Sequence, residues 1–254
     1  MTSPILTIIT INLNNNIGLE RTITSLRKYK SIGDIEFIFI DGESKDNSLE
    51  IARTFYEETF ITTEKDKGIY DAMNKGLAKS NGKFLLWLNS GDELHSELDM
   101  KDLLYKLKYE FMDYDVIGFA IEKKNTPNDK QGNILIPNLR FLPNSTLPHQ
   151  STIFKKSTVL KFGGYSLEYK ICSDRDLLVK IYLTNHKIAI SKQVISIFYL
   201  DGISSIRDTY PENLLISLNN NLITKKYYYI KISRYKLGNL KQKLFKFLLS
   251  NNIV

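Results

Sequence analysis

The chain has 254 residues, 43% hydrophobic and 11% aromatic, enough to bury a full core and too apolar for low-complexity disorder. Its single cysteine, Cys172, excludes an internal disulfide and favours a reduced, cytosolic setting, and His95, His149 and His186 lie too far apart for a zinc motif. The net charge of +7 belongs to the C-terminal end: no acidic residue follows Glu212, whereas 8 basic ones do, leaving −1 for positions 1–212.

In chain order, strand and helix signals alternate. Leu6 to Asn12 reads as a strand, Gly18 to Lys28 as a helix, Ile35 to Ile40 as a strand and Asn47 to Tyr56 as a helix. Phe60 to Thr63, Tyr70 to Lys79, Phe84 to Leu88 and Asp99 to Phe111 continue the pattern, which predicts a mostly parallel sheet covered by helices. Val116 to Ile121 is a further strand. Glu122 to Pro148 is broken by five prolines and glycines and reads as irregular. Ser151 to Phe154 returns to strand, Lys156 to Phe162 and Ser173 to Leu183 are helices, and Ile188 to Ile190 and Val194 to Phe198 read as paired short strands. No apolar run approaches the roughly 20 residues of a membrane span, and the N-terminus lacks the pattern of a signal peptide, so an integral membrane protein is not expected.

The candidate chemistry sits at strand ends. Phe84 to Leu88 is uninterruptedly apolar, as suits a strand buried on both faces, and N-S-G-D-E emerges at its carboxyl end, where open α/β sheets bind ligands. Asp92 is therefore a candidate for holding a divalent cation against phosphate oxygens. Thr10, Asn12 and Asn14 end the first strand, either as contacts to a base or ribose or as turn-forming polar residues. Asp41 ends the second strand with the same two readings, while Asp46 is better explained as a helix N-cap. Asp66 and Gly68 precede a helix whose apolar face is Ile69, Ala72, Met73 and Leu77; Asp71, Asn74 and Lys75 lie opposite, with Asp71 and Lys75 at ion-pair spacing. Asn74 is a nucleotide-contact candidate on that polar face.

Further along, Ser173 and Asp176 fit a capping box, which gives Asp176 a structural role. Asp174 has no such role. At the start of a helix its carboxylate is kept ionised by the helix dipole, ready to accept a proton from a hydroxyl. His149 and Gln150 read either as packed residues or as acceptor contacts.

In this order, D-G-E-S-K-D, D-K-G-I-Y-D-A-M-N-K-G, W-L-N-S-G-D, L-P-H-Q-S-T-I-F-K-K, G-G-Y, S-D-R-D-L and D-G-I-S-S resemble the inverting glycosyltransferases of family 2, nearest to bacterial enzymes of colanic-acid, O-antigen and capsule assembly. The resemblance spans about residues 5–207. It implies a GT-A fold over positions 1–212, with a nucleotide-sugar half (1–121) and an acceptor and base half (122–212); positions 213–254 read separately, from their charge and pattern, as a basic amphipathic helical tail. The resemblance also implies a UDP-hexose donor, a lipid-diphosphate-linked sugar acceptor, and Mn²⁺ or Mg²⁺ as cofactor. Thr10, Asn12, Asp41 and Asp66 would surround the nucleotide, Asp92 would match the metal-binding carboxylate of the D-x-D region, and Asp174 the catalytic base. Asn89 and Gly91 stand where many relatives carry aspartates, which leaves more of the metal shell to diphosphate and water.

The tail places Leu237, Leu240, Leu244, Phe247 and Leu248 on one helical face, with Lys236, Lys243 and Lys246 off it. It reads either as an attachment to the anionic cytoplasmic face of the inner membrane, making the protein cytoplasmic and peripheral, or as a helix packed on the domain. A sugar nucleotidyltransferase is disfavoured because Thr7 to Asn16 contains no glycine. Nucleic-acid binding is disfavoured because charge confined to a tail with an apolar face suits a membrane better. A non-catalytic nucleotide-sugar-binding or adaptor protein is the remaining alternative.

Overall fold

The computed structural model describes residues 3–142, 146–200 and 208–250, with the backbone alone for Phe141 and residues 244–250. The chain forms two compact units, Met1–Arg207 and Asp208–Val254. In the first, β1 (Leu6–Asn12), α1 (Asn16–Leu26), β2 (Ile35–Asp41), α2 (Ser48–Arg53), β3 (Ile61–Thr63), α3 (Ile69–Lys79) and β4 (Phe84–Trp87) alternate. There follow β5 (Glu93–Leu94), α4 (Met100–Tyr109), β6 (Val116–Lys124), β7 (Asn133–Leu135), β8 (Thr152–Lys155), α5 (Lys156–Lys161), α6 (Ser173–Leu183) and β9 (Ile188–Tyr199).

The strands make one mostly parallel sheet in the order β3-β2-β1-β4-β8-β6-β9-β5, with β7 on β6. β1 pairs in parallel with β2 and β4, and β6 with β9 along most of its length. β8 is inserted antiparallel between β4 and β6, so β4 and β6 point the same way. The chain steps outward from β1 to β3 and then returns to β4 on the other side of β1. That reversal opens a crevice at the carboxyl ends of β1 and β4.

Alternation along each strand feeds two cores. Leu6 and Ile8 pack with Leu19, Ile23 and Leu26 of α1 and Leu103 and Leu107 of α4. Ile9 and Ile11 pack with Met73 and Leu77 of α3 and Leu177 and Ile181 of α6. Because both faces are covered, the central strands read as continuous apolar runs.

Three expectations need correction. Ile188 to Ile190 and Val194 to Phe198 are not two paired strands but the ends of β9: the intervening Ser191, Lys192 and Gln193 form an irregularity in its parallel register with β6. Glu122 to Pro148 is not wholly irregular, since β6 runs on to Lys124 and β7 pairs antiparallel with Ile121 to Lys123. Ser173 does not cap α6; it lies inside the helix, whose N-cap is Cys172, and its buried hydroxyl has no hydrogen-bond partner among the described residues. Asp176 is buried and pairs with Lys180 at 2.6 Å. The motif D-G-I-S-S, residues 201–205, lies outside the described residues.

The second unit consists of α7 (Tyr210–Asn219) and α8 (Lys225–Ser250), with the Tyr235 hydroxyl donating to Asp208. Tyr229, Leu237 and Leu240 of α8 are exposed, whereas the side chains of Leu244, Lys246, Phe247 and Leu248 lie outside the described residues. Among the described residues, no helix is long and apolar enough to cross a membrane.

Candidate active site

Asn12, the last residue of β1, ties three segments together at the crevice. Its amide donates to Asp41 Oδ1 and to Ser44 Oγ, each at 3.0 Å, and its Oδ1 accepts from Ser90 Oγ at 2.7 Å. Asp41 is fully buried and also accepts from the backbone N–H and hydroxyl of Ser44. The D-G-E-S turn is thus a closed hydrogen-bonded loop. Thr10, expected at the nucleotide, shares Asn12's face of β1 but is fully buried, so its side chain is closed off from a ligand in this conformation. Asp46 accepts from the N–H groups of Asn16 and Ser48 and so ties the starts of α1 and α2, while the N-cap of α2 is Asn47.

Asp66 lies against this turn, its Oδ2 2.6 Å from where a side chain on Gly42 would begin. Lys75 gathers the carboxylates around it, 2.7 Å from Asp66, 3.4 Å from Glu64 and 3.5 Å from Asp71. Burial raises the Asp66 carboxyl and Lys75 opposes the rise. Asn74, also expected at the nucleotide, is used otherwise: its Nδ2 donates to Tyr165 O and its Oδ1 accepts from Tyr165 N–H, both at 2.8 Å. The clamp holds the turn so close that a side chain on Gly164, at φ +77°, would begin 2.6 Å from Asn74 Oδ1.

The N-S-G-D loop rests on α1. Thr22, fully buried, donates to Asp92 O at 2.7 Å and accepts from Gly91 N–H at 2.9 Å. Burial raises the Asp92 carboxyl to about 7, against the pull of the Asn89 N–H and the Arg21 charge. His149 stands in the single 3-10 turn His149–Ser151 before β8, with Nε2 3.0 Å from Asn89 Nδ2 and 3.8 Å from Asp92 Oδ2. Burial lowers its pKa while the Asp174 charge opposes this, and a neutral ring accepting from the Asn89 amide fits that direction. Gln150 is buried in the same turn.

Asp174 is in the first turn of α6, half-buried. Its Oδ1 accepts from the Tyr70 hydroxyl at 2.9 Å, and Tyr70 stacks on Tyr165, which meets the edge of Trp87. The structure therefore brings Asn12, Asp41 and Asp66 together on one side of the crevice. Asp92 and His149 meet beyond the end of β4, and His149 lies within electrostatic reach of Asp174. Tyr70 and Thr22 were not foreseen. Tyr70 had a signal, a phenol in the first turn of a motif whose other apolar residues explain the packing, but Thr22 had none.

For a divalent cation the site offers the Asp92 carboxylate, the His149 imidazole and a buried Asn89 Oδ1 with no hydrogen-bond partner among the described residues. No cluster of three or more His, Cys, Asp or Glu occurs among those residues. One carboxylate with an unpaired amide oxygen fits a hard cation that takes its other ligands from phosphate and water.

This fold, a mostly parallel sheet with helices on both faces and polar residues at paired strand ends, is of the GT-A type. The profile described as "Glycosyl transferase family 2" matches residues 7–166, and the chain belongs to that family. An uncharacterized glycosyltransferase of Mycobacterium tuberculosis is 31% identical over 211 residues, covering 82% of this chain and 80% of the relative. A PGL/p-HBAD biosynthesis glycosyltransferase of Mycobacterium bovis is 28% identical over 72% of this chain and 71% of its own. Among solved structures, TarS residues 1–349 of S. aureus in complex with UDP-GlcNAc has a TM-score of 0.66 at 18% identity, covering 88% of this chain and 69% of that one. The mannosyltransferase PcManGT of Pyrobaculum calidifontis, in complex with GDP-Man and Mn²⁺, has a TM-score of 0.58 at 13% identity, covering 92% and 65%.

Proposed function

We propose that this glycosyltransferase transfers a hexose, galactose or glucose, from a UDP-sugar with inversion to a hydroxyl of a lipid-diphosphate-linked sugar of the GlcNAc-diphosphate-undecaprenol type. The pathway served is O-antigen, lipopolysaccharide or exopolysaccharide assembly. One observation carries the reading: an oriented carboxylate, Asp174, on a different element from Asp92 and in electrostatic reach of the His149 beside it. A single displacement needs a base on one side of the anomeric carbon and a stabilised leaving group on the other.

Asp174 takes the proton of the acceptor hydroxyl as that oxygen bonds to the anomeric carbon and the bond to the diphosphate oxygen breaks. Asn12 and Asp66 line the nucleotide side, and the buried Asp41 holds Asn12 and the Ser44 turn in place behind them. Asp92, with His149 and Asn89 beside it, would hold Mn²⁺ or Mg²⁺, which when bound supplies positive charge to the leaving diphosphate. Support for a uridine nucleotide comes from TarS, solved with UDP-GlcNAc and with UDP, and for a cation from PcManGT. The lysines and exposed Leu237 and Leu240 of α8 support attachment to the anionic cytoplasmic face of the inner membrane.

The test crosses UDP-, GDP- and dTDP-sugars with a synthetic GlcNAc-diphospholipid, with and without EDTA. Transfer from a UDP-hexose that EDTA abolishes is expected. Folded protein showing neither transfer nor donor hydrolysis would favour the non-catalytic binding protein.

A further inference from the structure

We propose that Tyr70 is the positioning residue of the catalytic base, its hydroxyl holding Asp174 Oδ1 so that Oδ2 is the oxygen that receives the acceptor's proton. This rests on the reading of Asp174 as the base. The phenol reaches two acceptors at once, Asp174 Oδ1 at 2.9 Å and the carbonyl of Ile171 at 2.5 Å. It has one proton for both. Asp174 Oδ2, by contrast, has no hydrogen-bond partner among the described residues.

The two acceptors correspond to the two states of the base. With Asp174 ionised, the Tyr70 proton is best placed on Oδ1, where a charge-assisted bond is roughly twice as strong as a neutral one. After Oδ2 has taken the acceptor's proton, Oδ1 is a weaker acceptor and the phenol turns its proton to the Ile171 carbonyl. No bond within Tyr70 breaks; only its O–H rotates.

The surroundings keep the phenol in that role. Tyr70 is buried in the first turn of α3, stacked on Tyr165 at 5.5 Å between centroids, and Tyr165 is fixed in turn by the Asn74 clamp and by Trp87. Burial first, then the adjacent Asp174 charge, raises the Tyr70 pKa well above its ordinary value, so it remains a donor and does not compete as base. α3 and α6 are thereby linked at the reacting carboxylate.

The test compares wild type, Tyr70→Phe and Asp174→Asn in the hexosyl-transfer assay, with melting temperatures of all three. Phe keeps the ring and its stacking and removes only the hydroxyl. Loss of a hydrogen bond to a charged group predicts a fall in kcat of roughly 10- to 100-fold in Tyr70→Phe, with the donor KM unchanged. Wild-type kcat in Tyr70→Phe, beside an inactive Asp174→Asn, overturns the positioning role and leaves the base intact. Activity lost only in proportion to folded protein, or a rise in donor KM without a fall in kcat, also overturns it. Wild-type turnover in Asp174→Asn would instead remove the base assignment itself.

Discussion

At the scale of single residues, the site sets two carboxylates in different surroundings. Asp174 is half-buried and bonded to a phenol, whereas Asp92 is enclosed enough that burial raises it to about 7. A carboxyl whose folded value lies above its unfolded one binds more protons in the folded state, so its contribution to stability declines as pH rises from about 4 to about 7. Above pH 7 the folded protein carries an enclosed charge that a bound cation would neutralise. Wild type is therefore expected to gain more in melting temperature from Mn²⁺ with UDP at pH 8 than at pH 5.5. Asp92→Asn should lose most of that gain and, without metal, melt at least about 2 °C higher than wild type at pH 8 but not at pH 5.5. Equal Mn²⁺ effects at both pH values would refute the assignment.

At the scale of elements, the site is built by helices bracing loops. α1 carries Thr22 under the N-S-G-D loop, and α3 carries Asn74 against the G-G-Y turn and Tyr70 against α6. Thr22→Val keeps the shape and leaves the Gly91 N–H and the Asp92 carbonyl without that partner, at a cost of about 1–3 kcal/mol. Urea unfolding should show that loss, and the donor KM should rise because the loop carrying Asp92 is freed; an unchanged KM would show that the loop does not depend on Thr22. The strands bearing the site were legible in the sequence because each is a long apolar run ending in polar residues, as at Ile11-Asn12 and Ile40-Asp41. β5 and β7 were not, since two or three residues carry no periodicity, and β9 was misread because the polar Ser191 to Gln193 segment resembles a turn. The same limit applied to side chains. Asp92 and Asp174 are visible as carboxylates without a structural partner in the sequence, but Asn74 looks like a ligand contact until its two bonds to Tyr165 are seen. Thr22 looks like any helical threonine until the loop lies upon it.

At the scale of the molecule, chemistry and basicity are divided between the two units. The strand-end site lies within residues 1–207, and the eight basic residues after Glu212 lie in the second unit. If the tail serves attachment, replacing Lys236, Lys241 and Lys243 by Glu should weaken sedimentation with anionic vesicles by more than tenfold, taking about 1 kcal/mol per basic residue near the surface. Turnover on a short-chain, water-soluble acceptor should not change; equal vesicle binding by variant and wild type would assign those lysines to solvent.

The central claim, that Asp174 is the base of a single displacement, is tested most directly by one paired measurement on Asp174→Asn: equilibrium binding of the UDP-sugar and the rate of hexosyl transfer. Wild-type donor affinity is expected, with transfer slowed by about 10²- to 10⁴-fold, the usual contribution of a positioned base. Transfer near the wild-type rate would contradict the assignment of Asp174.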